Sequence, residues 1–288
     1  MRTGLINGKK TAVIATYDAI ISKVGANWVT YLHPEKLEYD KVESVKIADI
    51  DGDGNDDVIV LTEGFLYGIR GTDGSIMFRR AFSMPSGYTE IFVEDVLPVT
   101  GKEILVASES AGLIYVFSSE GCYIGEIDLD LDGVEDMISA DISNETGNEL
   151  CILGYRHPYY YLMAINIMNF PAKNYKLLFN SSLDDFLIGN RPDGVVGRVY
   201  AFNLTEEEGL ELIIGGVRED GSNVYVLVYN SSGKISSIWP SQVTLGQSSE
   251  WLYLNFSDIN NDKRSEILVA SHELVAIIRN VTSYKQLL

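Results

Sequence analysis

Residues 45–61 read VKIADIDGDGNDDVIVL: an alternating apolar strand, an acidic loop from Asp49 to Asp57, and a short, strongly apolar run. The phrase recurs. IFVEDVLPVTGKEILVA (91–107), MISADISNETGNELCIL (137–153), VYAFNLTEEEGLELIIG (199–215) and LNFSDINNDKRSEILVA (254–270) repeat it, with loops opening at Asp95, Asp141, Asn203 and Asp258. The loop starts lie 46, 46, 62 and 55 residues apart, the spacing of a four-stranded unit of about 40 to 50 residues with two insertions. A clipped copy, NGKKTAVIATYD (7–18), opens the chain; its first strand is missing or reduced to Met1–Ile6.

Each copy continues through a polar turn into a third strand, then a glycine turn and a fourth. FLYGIRGTDGSIMFRR (65–80), LIYVFSSEGCYIGEI (113–127) and VYVLVYNSSGKISSIW (224–239) carry this pattern. Thr72-Asp73-Gly74, Ser119-Glu120-Gly121 and Ser231-Ser232-Gly233 read as hairpin turns, because glycine supplies the positive φ that closes antiparallel strands with the right twist. The unit is thus strand A, acidic loop, strand B, turn, strand C, glycine turn, strand D. No stretch shows helical periodicity. The chain is all-β by this reading. Such a unit cannot bury both faces alone, and radial closure of the array removes its exposed ends, which predicts a β-propeller. Six blades of four antiparallel strands are expected in one domain, at approximately 1–43, 44–89, 90–134, 135–190, 191–249 and 250–288, the first incomplete.

Composition excludes several functions. The chain of 288 residues has 22 Lys and Arg against 41 Asp and Glu, a net charge of −19 that repels nucleic acid and anionic membrane surfaces. No run reaches the roughly 20 apolar residues that span a bilayer, and MRTGLINGKKTAV lacks the order of a secretory signal. Cys122 and Cys151 read as two ordinary buried thiols, although one disulfide is open to them.

The loop Asp49-Ile-Asp-Gly-Asp-Gly-Asn-Asp-Asp57 followed by VIV resembles the FG-GAP or VCBS-type repeat of integrin-alpha-like propellers, and the C–D hairpins resemble blades of pyrroloquinoline-quinone-type propellers. Calcium takes six to eight oxygen ligands, and a tight loop with carboxylates at alternate positions can wrap such a shell. Asp49, Asp51 and Asp53 hold positions one, three and five, Gly54 permits the sharp turn, and Asn55 offers its carbonyl. The resemblance makes Asp57, at position nine, the closing carboxylate ligand.

The other loops grade downward. Asp258, Asn260, Asp262 and Glu266 form a second candidate site, with Lys263 in place of the glycine. Asp141, Ser143, Glu145 and Glu149 are weaker, as are Asn203, Thr205, Glu207 and Glu211. Leu97 and Val99 stand at ligand positions in the loop Asp95–Glu103, so that loop is expected to be empty and held by packing alone. Asp128, Asp130, Asp132 and Asp136 match the spacing off-register; a D-to-A connector with Leu129 and Leu131 facing the core is the favoured reading. Loops that close their own carboxylate shell stabilise a fold and leave no open position for catalysis.

B–C turns and D–A connectors share one face of a propeller, where a protein or glycan partner is expected around Arg156, His157, Tyr159 and Trp251. The three histidines, His33, His157 and His272, are too scattered for a metal triad, and GxSxG, HExxH and Cys-His arrangements are missing from the sequence. Six Asn-x-Ser/Thr acceptors, at Asn144, Asn180, Asn203, Asn230, Asn255 and Asn280, exceed the roughly two expected by chance. The sequence therefore predicts a non-enzymatic, calcium-stabilised interaction or adhesion module in an extracellular or cell-surface setting. The alternatives are a secreted carbohydrate-active lyase or hydrolase and a structural scaffold domain.

Overall fold

A computed structural model describes residues 2–6, 9–15, 20–24, 27–32, 41–82, 89–99, 101–108, 110–143, 147–172, 174–183, 198–202, 204, 210–217, 224–240, 253–259, 265–270 and 275–278. Among these residues the regular elements are strands alone. The first sheet holds β1 (Arg2–Ile6), β2 (Lys9–Ala15), β3 (Ile20–Val24) and β4 (Asn27–Leu32), and the second β5 (Val42–Ala48), β6 (Asp57–Thr62), β7 (Phe65–Ile69) and β8 (Ile76–Ala81). The third comprises β9 (Thr89–Glu94), β10 (Glu103–Ser108), β11 (Leu113–Phe117) and β12 (Tyr123–Asp128), and the fourth β13 (Gly133–Ala140), β14 (Glu149–Arg156), β15 (Tyr159–Asn166) and β16 (Lys176–Ser182). The fifth is β17 (Arg198–Phe202), β18 (Glu211–Val217), β19 (Val224–Tyr229) and β20 (Ile235–Pro240); the sixth shows β21 (Tyr253–Ser257), β22 (Glu266–Ala270) and β23 (Val275–Ile278).

Consecutive strands are hydrogen-bonded neighbours in every sheet. The sheets therefore match the expected units, with each acidic loop joining the first two strands. One expectation is corrected. The first sheet is not incomplete, because Arg2–Ile6 pairs antiparallel with β2 from Arg2↔Val13 to Ile6↔Lys9. Main-chain pairing needs no acidic-loop signature, so the repeat pattern does not mark this strand.

By compactness the chain divides into two units, Met1–Gly133 and Val134–Leu288, each with three of the sheets. In the first unit, Ile59 and Leu61 of β6 pack with Phe78, Ile91, Ile104 and Val106, while Val58 and Val60 join Tyr67 and Ile69. In the second, Leu212 and Ile214 of β18 bury against Leu153, Leu162 and Val199, while Ile213 packs with Val228 and Ile267. Alternate residues of one strand thus enter different cores, so the second strands carry a continuous apolar run, and every residue of β6 and β10 is buried, including the acids Asp57 and Glu103 that open them. Each fully buried Val, Leu or Ile contributes about 1.5–3 kcal/mol.

Neighbouring sheets are also joined at their C–D turns. Gly121 has φ +71° and lies so close to the Phe78 ring on β8 that a Cβ would sit 2.4 Å from it; Gly233, at φ +72°, lies the same way against Phe179 on β16. Two residues beyond each aromatic, Arg80 Nε donates to the Gly121 carbonyl at 3.1 Å and Ser181 Oγ to the Gly233 carbonyl at 2.6 Å. The same joint is built twice, once in each unit.

Candidate metal centre

The elbow 49–57 is tightly self-bonded. Asp49 accepts the Gly52 N–H on Oδ1 (2.8 Å) and the Gly54 N–H on Oδ2 (3.0 Å), and both glycines take positive φ, +77° and +85°. Those turns fold the loop back on itself, a conformation that side chains with a Cβ resist. Asp49, Asp51 and Asp57 each place a carboxylate oxygen within 4.8 Å of the others, and this is the one such acidic group among the described residues. Asp53 stands outside it. Its Oδ1 accepts from Asn55 N at 2.7 Å and from Asn55 Nδ2 at 3.1 Å, so positions five and seven bond to each other.

Asp57 is fully buried and accepts two main-chain N–H groups: Ile50 on Oδ2 (3.3 Å) and Gly71, from the C–D turn, on Oδ1 (3.0 Å). Burial pushes its carboxyl above the ordinary value, the charges of Asp51 and Asp53 push the same way, and the two N–H groups oppose them. Negative charges crowded round a buried carboxyl disfavour its ionised form, and a nearby cation relieves them. One cation is close: Arg70 Nη2 lies 3.3 Å from Asp51 Oδ2. Three hard, gathered oxygen donors fit calcium, and each carboxylate oxygen keeps a second lone pair beside its N–H bond. Asp49, Asp51 and Asp57 would hold the ion, which when bound would cross-link the two ends of the elbow.

The closing residue has a second role that the metal reading missed. In all five loops the ninth carboxylate accepts the N–H of the second residue: Ile50→Asp57, Val96→Glu103 (3.0 Å), Ile142→Glu149 (3.0 Å), Leu204→Glu211 (2.8 Å) and Ile259→Glu266 (2.7 Å). All five acids are buried. The loop Asp95–Glu103 is thus not held by packing alone, because Glu103 also takes the Leu97 N–H at 3.0 Å. A signal was present in the sequence: an acid closes every copy, even the one with Leu97 and Val99 in place of ligands.

The remaining candidates divide. Asn260 and Asp262 lie outside the described residues, as do Glu145, Asn203, Thr205, Glu207 and Trp251; Asp258 and Glu266 are described at the two ends of their loop. Ser143 Oγ donates to Glu149 Oε1 at 2.7 Å, and Asp141 is exposed. Asp128 and Asp130 form a local turn, with the Asp130 N–H on Asp128 Oδ1, while Leu129 and Leu131 are buried as a connector requires. Asp136 is buried on β13, where it accepts the Val199 N–H (2.8 Å) and faces Arg198 (3.3 Å), tying β13 to β17; Asp132 is exposed.

Arg156, His157 and Tyr159 are exposed together on the β14–β15 turn. Most other exposed large apolar side chains lie at the opposite, A–B/C–D ends of their sheets: Ile76, Val99, Tyr123, Leu177 and Ile259. Within the first unit, the A–B/C–D end of the second and third sheets carries a 620 Å³ pocket between them, lined by Asp51, Arg70, Met77, Phe78, Arg80 and Glu120 among others. Both cysteines are free, and Cys122 is exposed, which corrects the expectation of two buried thiols; its place beside a C–D turn leaves it at the surface. No helix among the described residues is long and apolar enough to cross a membrane.

Solved structures share this arrangement. The β-propeller domain of Nup133 from Vanderwaltozyma polyspora superposes with a TM-score of 0.59 at 11% identity, over 95% of this chain and 81% of that one. The fold is a β-propeller. BBS1N, solved in complex with ARL6DN, matches at 0.57 and 14% identity over 95% of this chain and 76% of that one. The exotype rhamnogalacturonan lyase YesX matches at 0.54 and 12% identity, over 98% of this propeller and 57% of the lyase. No family model and no curated protein sequence matches the chain. At these identities the likeness concerns the fold, and fold does not carry function.

Proposed function

We propose that the chain is a calcium-stabilised propeller of the FG-GAP/VCBS-repeat type that serves as an extracellular or cell-surface interaction module for a protein partner, without catalysis of its own. The observation that carries the metal is the gathering of Asp49, Asp51 and Asp57 on an elbow whose closing residue is already anchored. A propeller solved in complex with a protein, BBS1N with ARL6DN, supports the partner class. Asn180 and Asn255 are exposed, as sugar attachment requires. The exposed Arg156, His157 and Tyr159 are the contact surface of this reading. The test is thermal melting in calcium against chelator for the wild type and Asp51→Ala. The wild type should gain stability, about 2.7 kcal/mol when calcium is at a hundredfold excess over its Kd, and the variant should gain none. An equal response in both proteins, or none in the wild type, overturns the site. Pull-down with the wild type and an Arg156→Ala/Tyr159→Ala variant tests the surface.

A second reading, a carbohydrate-active enzyme on the same scaffold, is favoured by one observation: the pocket where Arg70, Arg80, Asp51 and Glu120 meet. The lyase YesX has the fold. Turnover of an acidic polysaccharide that disappears in Arg70→Ala would replace the first reading.

A further inference from the structure

In a chain of net charge −19, the pocket between the second and third sheets gathers two arginines, Arg70 and Arg80. Arg80 is fixed by the turn beneath it: Nε donates to the Gly121 carbonyl (3.1 Å) and Nη2 to that of Glu120 (3.3 Å), bonds that do not use Nη1. Arg70 is held through Nη2 at 3.3 Å from Asp51, and its Nε is shut off from solvent with no hydrogen-bond partner. An orphaned buried N–H costs about 1–3 kcal/mol, and native structures rarely leave one without a purpose. Met77 and Phe78 add an apolar wall.

We propose that this pocket binds a carboxylate, which Arg70 takes side-on through Nε and one Nη after a small rotation of its guanidinium, with Arg80 alongside. A planar acceptor with two oxygens matches the guanidinium fork, and it supplies the acceptor that Arg70 Nε lacks. In so acidic a chain a carboxylate, with one negative charge, meets less repulsion than a phosphate monoester with about two. The apolar wall suits a ligand whose carboxylate is carried on a carbon skeleton, as in a uronic acid or an acidic side chain.

The test follows the arginine Nε–H resonances of ¹⁵N-labelled protein during titration with galacturonate and with N-acetylglutamate, using galactose and N-acetylglutamine as neutral controls. Working in chelator keeps the result independent of whether the elbow holds calcium. At least one acid should give a saturable shift that its neutral control does not. In Arg70→Gln, with the Arg80 resonance as reporter, binding should weaken at least fivefold; Arg70→Lys, which keeps the charge and loses the fork, should weaken too. A response to galacturonate alone assigns the site to acidic sugars, and one to N-acetylglutamate alone to acidic side chains; either upholds it. No saturable shift from either acid in the wild type overturns the proposal, and so does undiminished affinity in a folded Arg70→Gln.

Discussion

The main-chain N–H of Val96 donates to Glu103 Oε2 at 3.0 Å, across a loop that offers Leu97 and Val99 where a metal site needs oxygens. Glu103 is buried and also takes the Leu97 N–H. The ninth acid of the repeat is thus first a device for closing the loop. Only the elbow that also carries Asp49 and Asp51 gathers further carboxylates beside it among the described residues.

This separation of roles predicts two classes of variant. Glu103→Ala leaves two buried N–H groups without an acceptor and should destabilise the fold by roughly 2–4 kcal/mol, equally with and without calcium. Asp57→Ala should cost a similar amount in chelator, because it releases Ile50 and Gly71, and should abolish any calcium response as well. Asp51→Ala should cost little in chelator, since Asp51 is exposed and its ion pair with Arg70 lies at the surface. Denaturant unfolding of the three variants, each in calcium and in chelator, checks the pattern.

The glycine–aromatic joints should tolerate no side chain. Gly121→Ala adds a Cβ at positive φ directly against Phe78, and Gly233→Ala does the same against Phe179. Each should cost roughly 2 kcal/mol or more, lowering Tm by about 2–4 °C per kcal/mol in a chain of this size. Gly52→Ala meets open space and should cost less, from backbone strain alone. Calorimetric scans rank the three.

Glu94 predicts a pH dependence. Burial raises its pKa above the ordinary 4.5, against the attraction of Lys46 and Lys102. Folding therefore penalises the ionised form. The penalty is absent below about 4.5, where the group is protonated in both states, and is complete once pH exceeds the folded-state value. Glu94→Gln should accordingly be more stable than the wild type near neutral pH, with the difference vanishing by about pH 4. Urea midpoints across that range measure it.

The two thiols should react differently. Cys122 is exposed and should be alkylated in the native protein, while Cys151 is buried and burial pushes its thiol pKa up, so it should react only on unfolding. Mass spectrometry after iodoacetamide treatment, with and without denaturant, distinguishes them.

Much of this was legible in the chain because the repeat is short-range chemistry. The alternation of 45–48, the apolar run 58–61 and the glycines at 74, 121 and 233 each follow from the conformation of a few consecutive residues, and the strands and hairpins fell where they pointed. The elbow 49–57 was readable for the same reason, although Asp53 turned to Asn55 instead of joining the gathered oxygens. Arg2–Ile6 was hard to see because nothing in its side chains marks it.

Local pattern alone determined the strands of the five full repeats and the acidic elbow, since turns and alternation are properties of neighbouring residues. Only tertiary contacts decided that Phe78 meets Gly121, that Asp136 meets Val199, and that Arg70 and Arg80 share a pocket. Those partners lie between about 10 and 63 positions apart, and which distant groups meet depends on how whole sheets pack, a quantity summed over many weak contacts.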